Sequence, residues 1–421
     1  MSGPAIERVF SRLSVAGLCA TFVGNGLGRF AFVALMPALI QAGWFSKADA
    51  SYLGVATLVG YVAGAALANS LAARVASAWL LRASMLVCAL SFFACAIEGA
   101  GLPWYYLWRI AAGICGAILM VLPAPVVLPR HAASIRARTS GVVFSGIGLG
   151  AAASGFLVPL LIAGGVALPF LHLEGLTGAW LGLGAACLGL TALAWNAWPT
   201  ETPSAPGSSG SPELPREIQP TVLLLLLAHG LNAVGYLAHT MFLPDYVVRE
   251  LGMPLAMGGF FWSMFGLGAA VGPMLTGSLA DVFGLRRCLI AGFVLKAFAA
   301  ILPAWNSSSA ALLVSAVLMG ICTPGIVALV SAYALERVGA LHHRKAWGLA
   351  TSSFAIAQAG GGALMAFAAT RLHSYQALFC ASAIALLGST ICVALIRERA
   401  ACEERPAGTD LLPVATTASN P

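Results

Sequence analysis

The chain has 421 residues, 60% hydrophobic and 9% charged, with a mean hydropathy of +0.90. Soluble proteins carry about 25% charged residues, so a water-facing surface cannot be built from this composition. The net charge of +7 is accounted for below by membrane topology, so no nucleic acid is invoked.

Apolar runs recur along the whole length, and about 20 residues suffice to cross a bilayer. The expected class is an all-α polytopic membrane protein. A short tail over 1–13 shows no cleavable signal peptide. Helices are then predicted near 14–40, 50–72, 78–99, 103–128, 139–164 and 176–197. The stretch 199–219 is rich in Pro, Ser and Gly and reads as a disordered linker. A second set follows near 220–244, 255–279, 286–305, 308–334, 346–369 and 374–396, and 398–421 forms a second tail. The domains are therefore a six-helix bundle over 14–198 and another over 220–397. The ten cysteines form no CxxC. They read as packing residues, with no disulfide framework and no metal site.

With both tails on one side, 16 basic residues fall in segments of that side. Only Lys47, Arg249 and Arg371 fall opposite. By the positive-inside rule the termini are cytoplasmic, and the expected location is a bacterial inner (plasma) membrane.

The halves repeat. Asn25, Gly28 and Pro37 match Asn232, Gly235 and Pro244 at an offset of 207, as do "GIC" at 113–115 and 320–322 and the pair Gly141 and Gly348. Gly60 and Gly64 match Gly268 and Gly272 at 208. Six spans per copy leave the two in the same orientation, a parallel repeat.

Three basic residues lie within spans: Arg29, Arg109 and Lys296. Intramembrane charges are costly and mark functional sites. Arg29 lies about fifteen residues into its helix, roughly 22 Å at 1.5 Å per residue, too deep to reach a headgroup. Asn25 shares its face. The equivalent helix carries His229, Asn232, Tyr236 and His239 at spacings of 3, 4 and 3, one stripe. Its repeat partners are Phe22, Asn25, Arg29 and Phe32. Gln358 and Thr351 share a face of helix 11. Lys296, in helix 9, is expected to snorkel toward the interface. A buried permanent cation with no neighbouring acid calls for an anion, and arginine offers carboxylate or phosphate a two-pronged fork.

"GSLADVFGLRR" at 277–287 resembles the signature loop of the major facilitator superfamily, filled here by Gly277, Asp281, Gly284, Arg286 and Arg287. "LWRIAAGICGA" at 107–117 resembles its helix-4 signature through Arg109, Gly113 and Ala117. "GLGRFAFVALMP" together with "GYVAGA" resembles its YbfB/YjiJ-like branch. The resemblance implies the major facilitator fold, with helices 1 and 7 lining a central cavity between rocking halves and a gate at the 277–287 loop. The first half departs from the pattern: "NSLAARVASAW" at 69–79 has Ala73 where Asp281 stands. Gate duty is thus expected of the second-half loop, with Asp281 pairing across the cytoplasmic face.

The expected function is secondary active transport of a small organic solute, an anion by the argument above, with no cofactor, no nucleotide-driven step and a monomeric chain in the lipid bilayer. Two alternatives stay open. One is efflux of drugs or other amphipathic solutes; the other is a non-transporting sensor or an intramembrane enzyme, although no catalytic constellation lies at depth. Protons are a candidate coupling partner. No acid is placed at the midplane, so His229 and His239, whose kind titrates near pH 6.5, are the expected carriers.

Overall fold

The computed structural model describes residues 6–164, 167–168, 171–172, 175–199, 214–372 and 374–396. The centre of the 199–219 linker, Glu174, and the tail with Arg397, Arg399 and Arg405 lie outside the described residues. Among the described residues twelve helices are long and apolar enough to span a membrane. The first half holds α1 (Arg12–Gln41), α2 (Lys47–Ala68), α3 (Ser77–Cys95), α4 (Leu102–Arg130), α5 (Ala133–Ile162) and α6 (Gly175–Trp195). The second holds α7 (Gln219–Glu250), α8 (Leu255–Phe283), α9 (Leu285–Trp305), α10 (Ser309–Gly339), α11 (Leu341–Arg371) and α12 (Gln376–Ala394). A two-residue antiparallel pair, β1 (Ala167–Leu168) with β2 (Leu171–His172), joins α5 to α6.

Two boundaries differ from the sequence expectation. The charged stretch between 334 and 346 was expected to be a loop, but α10 and α11 run on to a single break at Gly339, with φ 72° and ψ 166°. "ALERVGALHHRKAW" is rich in strong helix formers; Glu336 is exposed and Arg337 and Lys345 are half-buried, on the helix surfaces. α7 continues past Pro244 through a π-helical turn, Tyr246–Glu250, so Asp245 lies inside the span and is fully buried.

The repeat is visible in packing. A Cβ at Gly60 or Gly64 of α2 would strike the Ile110 or Ile114 carbonyl of α4, and one at Gly113 would strike that of Thr57. In the second half Gly268 and Gly272 of α8 face the Val317 and Ile321 carbonyls of α10, and Gly320 faces that of Phe265. The same backbone-to-backbone crossing is thus built twice, from residues 207 or 208 apart. Small residues allow this approach where side-chain hydrophobicity gives no drive for association.

The halves meet by the same means. Gly148 and Gly155 of α5 lie against Gly266 and Gly259 of α8, and Trp262 Nε1 donates to Ser154 Oγ at 3.2 Å. Segment Ala31–Gln41 of α1 packs on Leu237–Asp245 of α7, and α2 packs on α11. No comparable packing joins Arg12–Thr21 to Gln219–Gly235. A Cβ at Gly277 or Gly348 would meet nothing within 4 Å. The interface is therefore closed at the face opposite the termini and opens toward the terminal face.

Replacing Gly113 or Gly320 by Leu should lower the thermal unfolding temperature in detergent, since overpacking costs about 1–3 kcal/mol. Gly277→Ala, into open space, should melt like the parent. Unchanged melting of Gly113→Leu would show that glycine does not set the crossing.

Candidate substrate site between the two halves

α1 and α7 are both interrupted at mid-depth. In α1 a π-helical turn, Phe22–Leu27, precedes three turn residues and a second helical segment from Ala31. The Gly28 and Phe30 N–H groups reach back to Val23 O and Asn25 O, at 2.9 and 3.3 Å. π-turns of this kind often accompany functional sites. Arg109 Nη1 donates to Gly28 O at 3.0 Å, and Asn25 Nδ2 to Gly116 O at 3.0 Å. The break is thus fastened to α4. In α7 the first segment ends at Gly235, Tyr236 turns at φ −105°, and a new segment starts at Leu237.

The break divides the predicted stripe. Tyr236 points across the interface. Arg29 Nη2 donates to Tyr236 Oη at 2.6 Å, and Tyr236 Oη donates to Gln358 Oε1 at 2.5 Å. Arg29 Nη1 reaches the same Gln358 oxygen at 3.4 Å. Arg29 and Tyr236 are repeat-equivalent, so the only cation on one stripe binds its counterpart on the other. The Arg29 guanidinium also lies 5.0 Å from the Phe30 ring centroid and 5.7 Å from that of Tyr236. Gln358 Nε2 is buried without a partner. Thr351 donates to the Trp347 carbonyl of its own helix, at 2.9 Å.

The other stripe members face into the second half. His239 Nε2 lies 2.7 Å from Ser315 Oγ of α10, and its ring meets Phe379. His229 packs on Phe354 and Trp347 of α11, at 4.8 and 5.8 Å between centroids. Asn232 Oδ1 accepts from Lys296 Nζ at 2.8 Å. This corrects the expectation for Lys296. It is fully buried and does not snorkel, because Asn232 and the Tyr236 ring, 5.2 Å from Nζ, hold it inward. Sequence spacing on α9 carries no sign of this pairing.

Arg109 is buried beside Phe32, whose ring centroid is 4.5 Å from its guanidinium carbon. Arg29 and Arg109 line one cavity of about 20 Å³ with Thr57, Ser51, Thr240 and Met241. One water needs roughly 10–15 Å³. Two buried polar atoms of that lining have no partner, Arg109 Nε and Thr57 Oγ1. Thr57 was not anticipated; its neighbour relation to Arg109 arises from the glycine-mediated crossing of α2 on α4.

The residues expected to form a gate lie at the terminal face. Asp281 is exposed and pairs with no described residue. Gly284, at φ +85°, ends α8, and Arg286 Nη2 donates to the Ala394 carbonyl at the end of α12, at 2.8 Å. Arg287 is exposed.

At the opposite face a polar cluster fastens the closed end. Arg249 donates to both Asp245 oxygens, at 2.6 and 2.8 Å, and Tyr375 Oη donates to Asp245 at 2.5 Å. Glu250 accepts from Ser374 Oγ and from the Tyr375 N–H, each at 2.9 Å. Burial first, and then the Asp245 charge, push the Tyr375 phenol above its usual range, so it remains a donor at physiological pH. Lys47, which opens α2, contributes the first-half element: its Nζ lies 4.0 Å from the Tyr375 ring centroid.

Two helical bundles related by a parallel repeat, a site on the axis between them and one closed face define a transporter of the major facilitator type, not an enzyme. Residues 21–393 match the family described as "Uncharacterised MFS-type transporter YbfB", and the chain belongs to that family. It is 31% identical over 93 residues to the uncharacterized MFS-type transporter YfiU of Bacillus subtilis (strain 168), a match covering 22% of this chain and 18% of that relative. The fold is similar to that of the nucleoside transporter NupG, with TM-score 0.72 and 10% identity over 91% of this chain and 99% of that one. A bacterial homolog of the human lysosomal transporter Spinster, in an inward-facing and occupied conformation, gives TM-score 0.64 and 16% identity over 90% and 93%.

Removing the aromatic contact on Lys47 should loosen the closed face. In Tyr375→Leu, a cysteine placed at Ser51 should label faster with a membrane-impermeant thiol reagent than in the parent. Equal rates would leave closure to the helix packing alone.

Proposed function

We propose that the protein is a secondary active transporter that carries a small organic anion by rocker-switch alternating access, with Arg29 as the anion's anchor. The supporting observation is the Arg29–Tyr236–Gln358 contact. A permanent cation sits at mid-depth between the halves, and its partners are both neutral. Among the described residues no carboxylate lies beside it. A carboxylate or phosphate entering from the open face would take the guanidinium fork from Tyr236 and Gln358. Those two belong to the second half, so an anion held on Arg29 and still bonded by them would draw the halves together. With cytoplasmic termini, as the basic residues suggest, the present state opens inward.

Asp281 fits an inner latch in its released state. It would pair across the cytoplasmic face when that face closes. Asp281→Asn should then raise labelling of cysteines placed along the inner cavity, and an unchanged rate would remove the latch role.

Anion binding can be tested on purified protein with a thermal-shift panel of mono- and dicarboxylates, inorganic phosphate and neutral and cationic controls. Anions should stabilise the parent and the others should not. Arg29→Gln should lose about tenfold to a hundredfold in affinity for any stabilising anion, the loss expected from about 1.5–3 kcal/mol for a charged hydrogen bond. Arg29→Lys should recover only part, since a point charge cannot reproduce the fork. Stabilisation by cations, or Arg29→Gln binding like the parent, would overturn the assignment.

A further inference from the structure

We infer that Lys296 is the proton-binding site of this transporter and that Tyr236 links its protonation to occupancy at Arg29. This rests on the anion reading of the Arg29 site, but its first test does not require that anion.

Lys296 is the third intramembrane cation, and the substrate contact does not use it. Its Nζ, fully buried at mid-depth, has one hydrogen-bond partner among the described residues, Asn232 Oδ1 at 2.8 Å. The titratable groups that face it are His229, His239 and Tyr236 from α7 and Cys322 from α10. α12, which also packs on α9, contains no charged residue. Among the described residues no acid therefore stands beside the amine, and a buried charge without a counter-ion is costly. Lysine, unlike arginine, can shed its charge when buried.

The partner is built for either form. The Asn232 Nδ2 group is buried and unpaired. An ammonium donates to Oδ1, as found. A neutral amine has a lone pair, and turning the amide over would present Nδ2–H to it, since both ends of an asparagine amide bond well. The carrier can thus gain or lose its proton without leaving either form unbonded.

The histidines lack this provision. Ser315 Oγ donates to the Ala299 carbonyl at 2.7 Å, so its one proton is committed and His239 Nε2 must donate to it. The proton taken up by an imidazole would then sit on Nδ1, which is buried without a partner. His229 Nδ1 is likewise unpartnered.

The coupling element is the Tyr236 ring. Arg29 and Lys296 approach its centroid to 5.7 and 5.2 Å, and its hydroxyl accepts from Arg29. Two cations share one aromatic group. An anion on Arg29 cancels one of them, which favours a proton on Lys296. By reciprocity a proton on Lys296 favours the anion. Proton and anion would then be carried in the same direction.

The chain has three lysines, Lys47, Lys296 and Lys345, so protein grown on lysine labelled with ¹³C at Cε gives three separable signals. Lys296 is identified by its loss in Lys296→Met, or by elimination in Lys47→Arg with Lys345→Arg if that variant does not fold. Titrated without any anion, the Lys296 signal should move below about pH 9, where a solvated lysine stays charged. In Arg29→Gln, which imitates a neutralised anchor, the midpoint should rise by about half a pH unit or more, about threefold in proton affinity. A Lys296 signal that stays fixed, or a midpoint unmoved by Arg29→Gln, overturns the proposal. Failure of every anion in the thermal-shift panel would instead overturn the anion reading and leave the Lys296 titration standing.

Discussion

A guanidinium that cannot lose its proton sits where the two halves meet, and it is held by a phenol and an amide rather than by a carboxylate. Much of the surrounding architecture serves that placement. α1 must open at mid-depth so that Arg29 leaves the helix stack toward the interface, and the π-turn at Phe22–Leu27 supplies the opening. Arg109 and Asn25 then bond backbone carbonyls of Gly28 and Gly116, keeping the opened segment fixed to α4. The matching break at Tyr236 brings the partner from the other side. A site on a repeat axis is formed from equivalent positions by construction, so the residues 207 apart meet each other.

The small residues define what can move. α2 crosses α4, and α8 crosses α10, with backbones in contact through Gly60, Gly64, Gly113, Gly268, Gly272 and Gly320. These contacts lie within each half and bind its helices backbone to backbone. Between halves, Gly148 and Gly155 against Gly266 and Gly259 also bring backbones together, but here without a ladder of side-chain bonds. Trp262 to Ser154 and Ser263 to the Ala152 carbonyl are the polar ties along this seam among the described residues. On the transport reading a smooth seam of this kind would permit rocking, whereas Lys47 over the ring of the Asp245-bound Tyr375 ties the halves at one end.

Length and hydropathy made the twelve spans legible in the sequence, and offsets of 207 and 208 made the repeat legible. The depth of Arg29 and its equivalence to Tyr236 could be read as well, because a repeat preserves position along the chain. Three features could not. The face of α7 was read as one stripe, but a stripe assumes an unbroken helix. The turn at Tyr236 sends Asn232 toward Lys296, and His239 toward Ser315, away from Arg29. Lys296 was read as snorkelling because spacing within α9 reveals nothing about an acceptor on α7. The charged stretch around Gly339 was read as a loop, since polarity marks both loops and exposed helix surface.

The neutrality of the Arg29 partners has a consequence for turnover. An aspartate there would form an ion pair that an incoming anion could displace only by leaving a buried carboxylate unpaired, a loss of several kcal/mol. Tyr236 and Gln358 hold the empty arginine in place with hydrogen bonds to neutral acceptors, and a charged acceptor binds about twice as strongly. On the anion reading, exchange of those acceptors for a substrate anion would replace neutral hydrogen bonds by charge-assisted ones, and the released phenol and amide would remain able to bond the anion's other oxygens. Release would reverse that exchange, and the return of Tyr236 and Gln358 to the fork would offset part of the loss of the anion's bonds. A neutral clamp of this kind keeps the empty carrier from being trapped, and on the anion reading it explains why the midplane has cations but no acid.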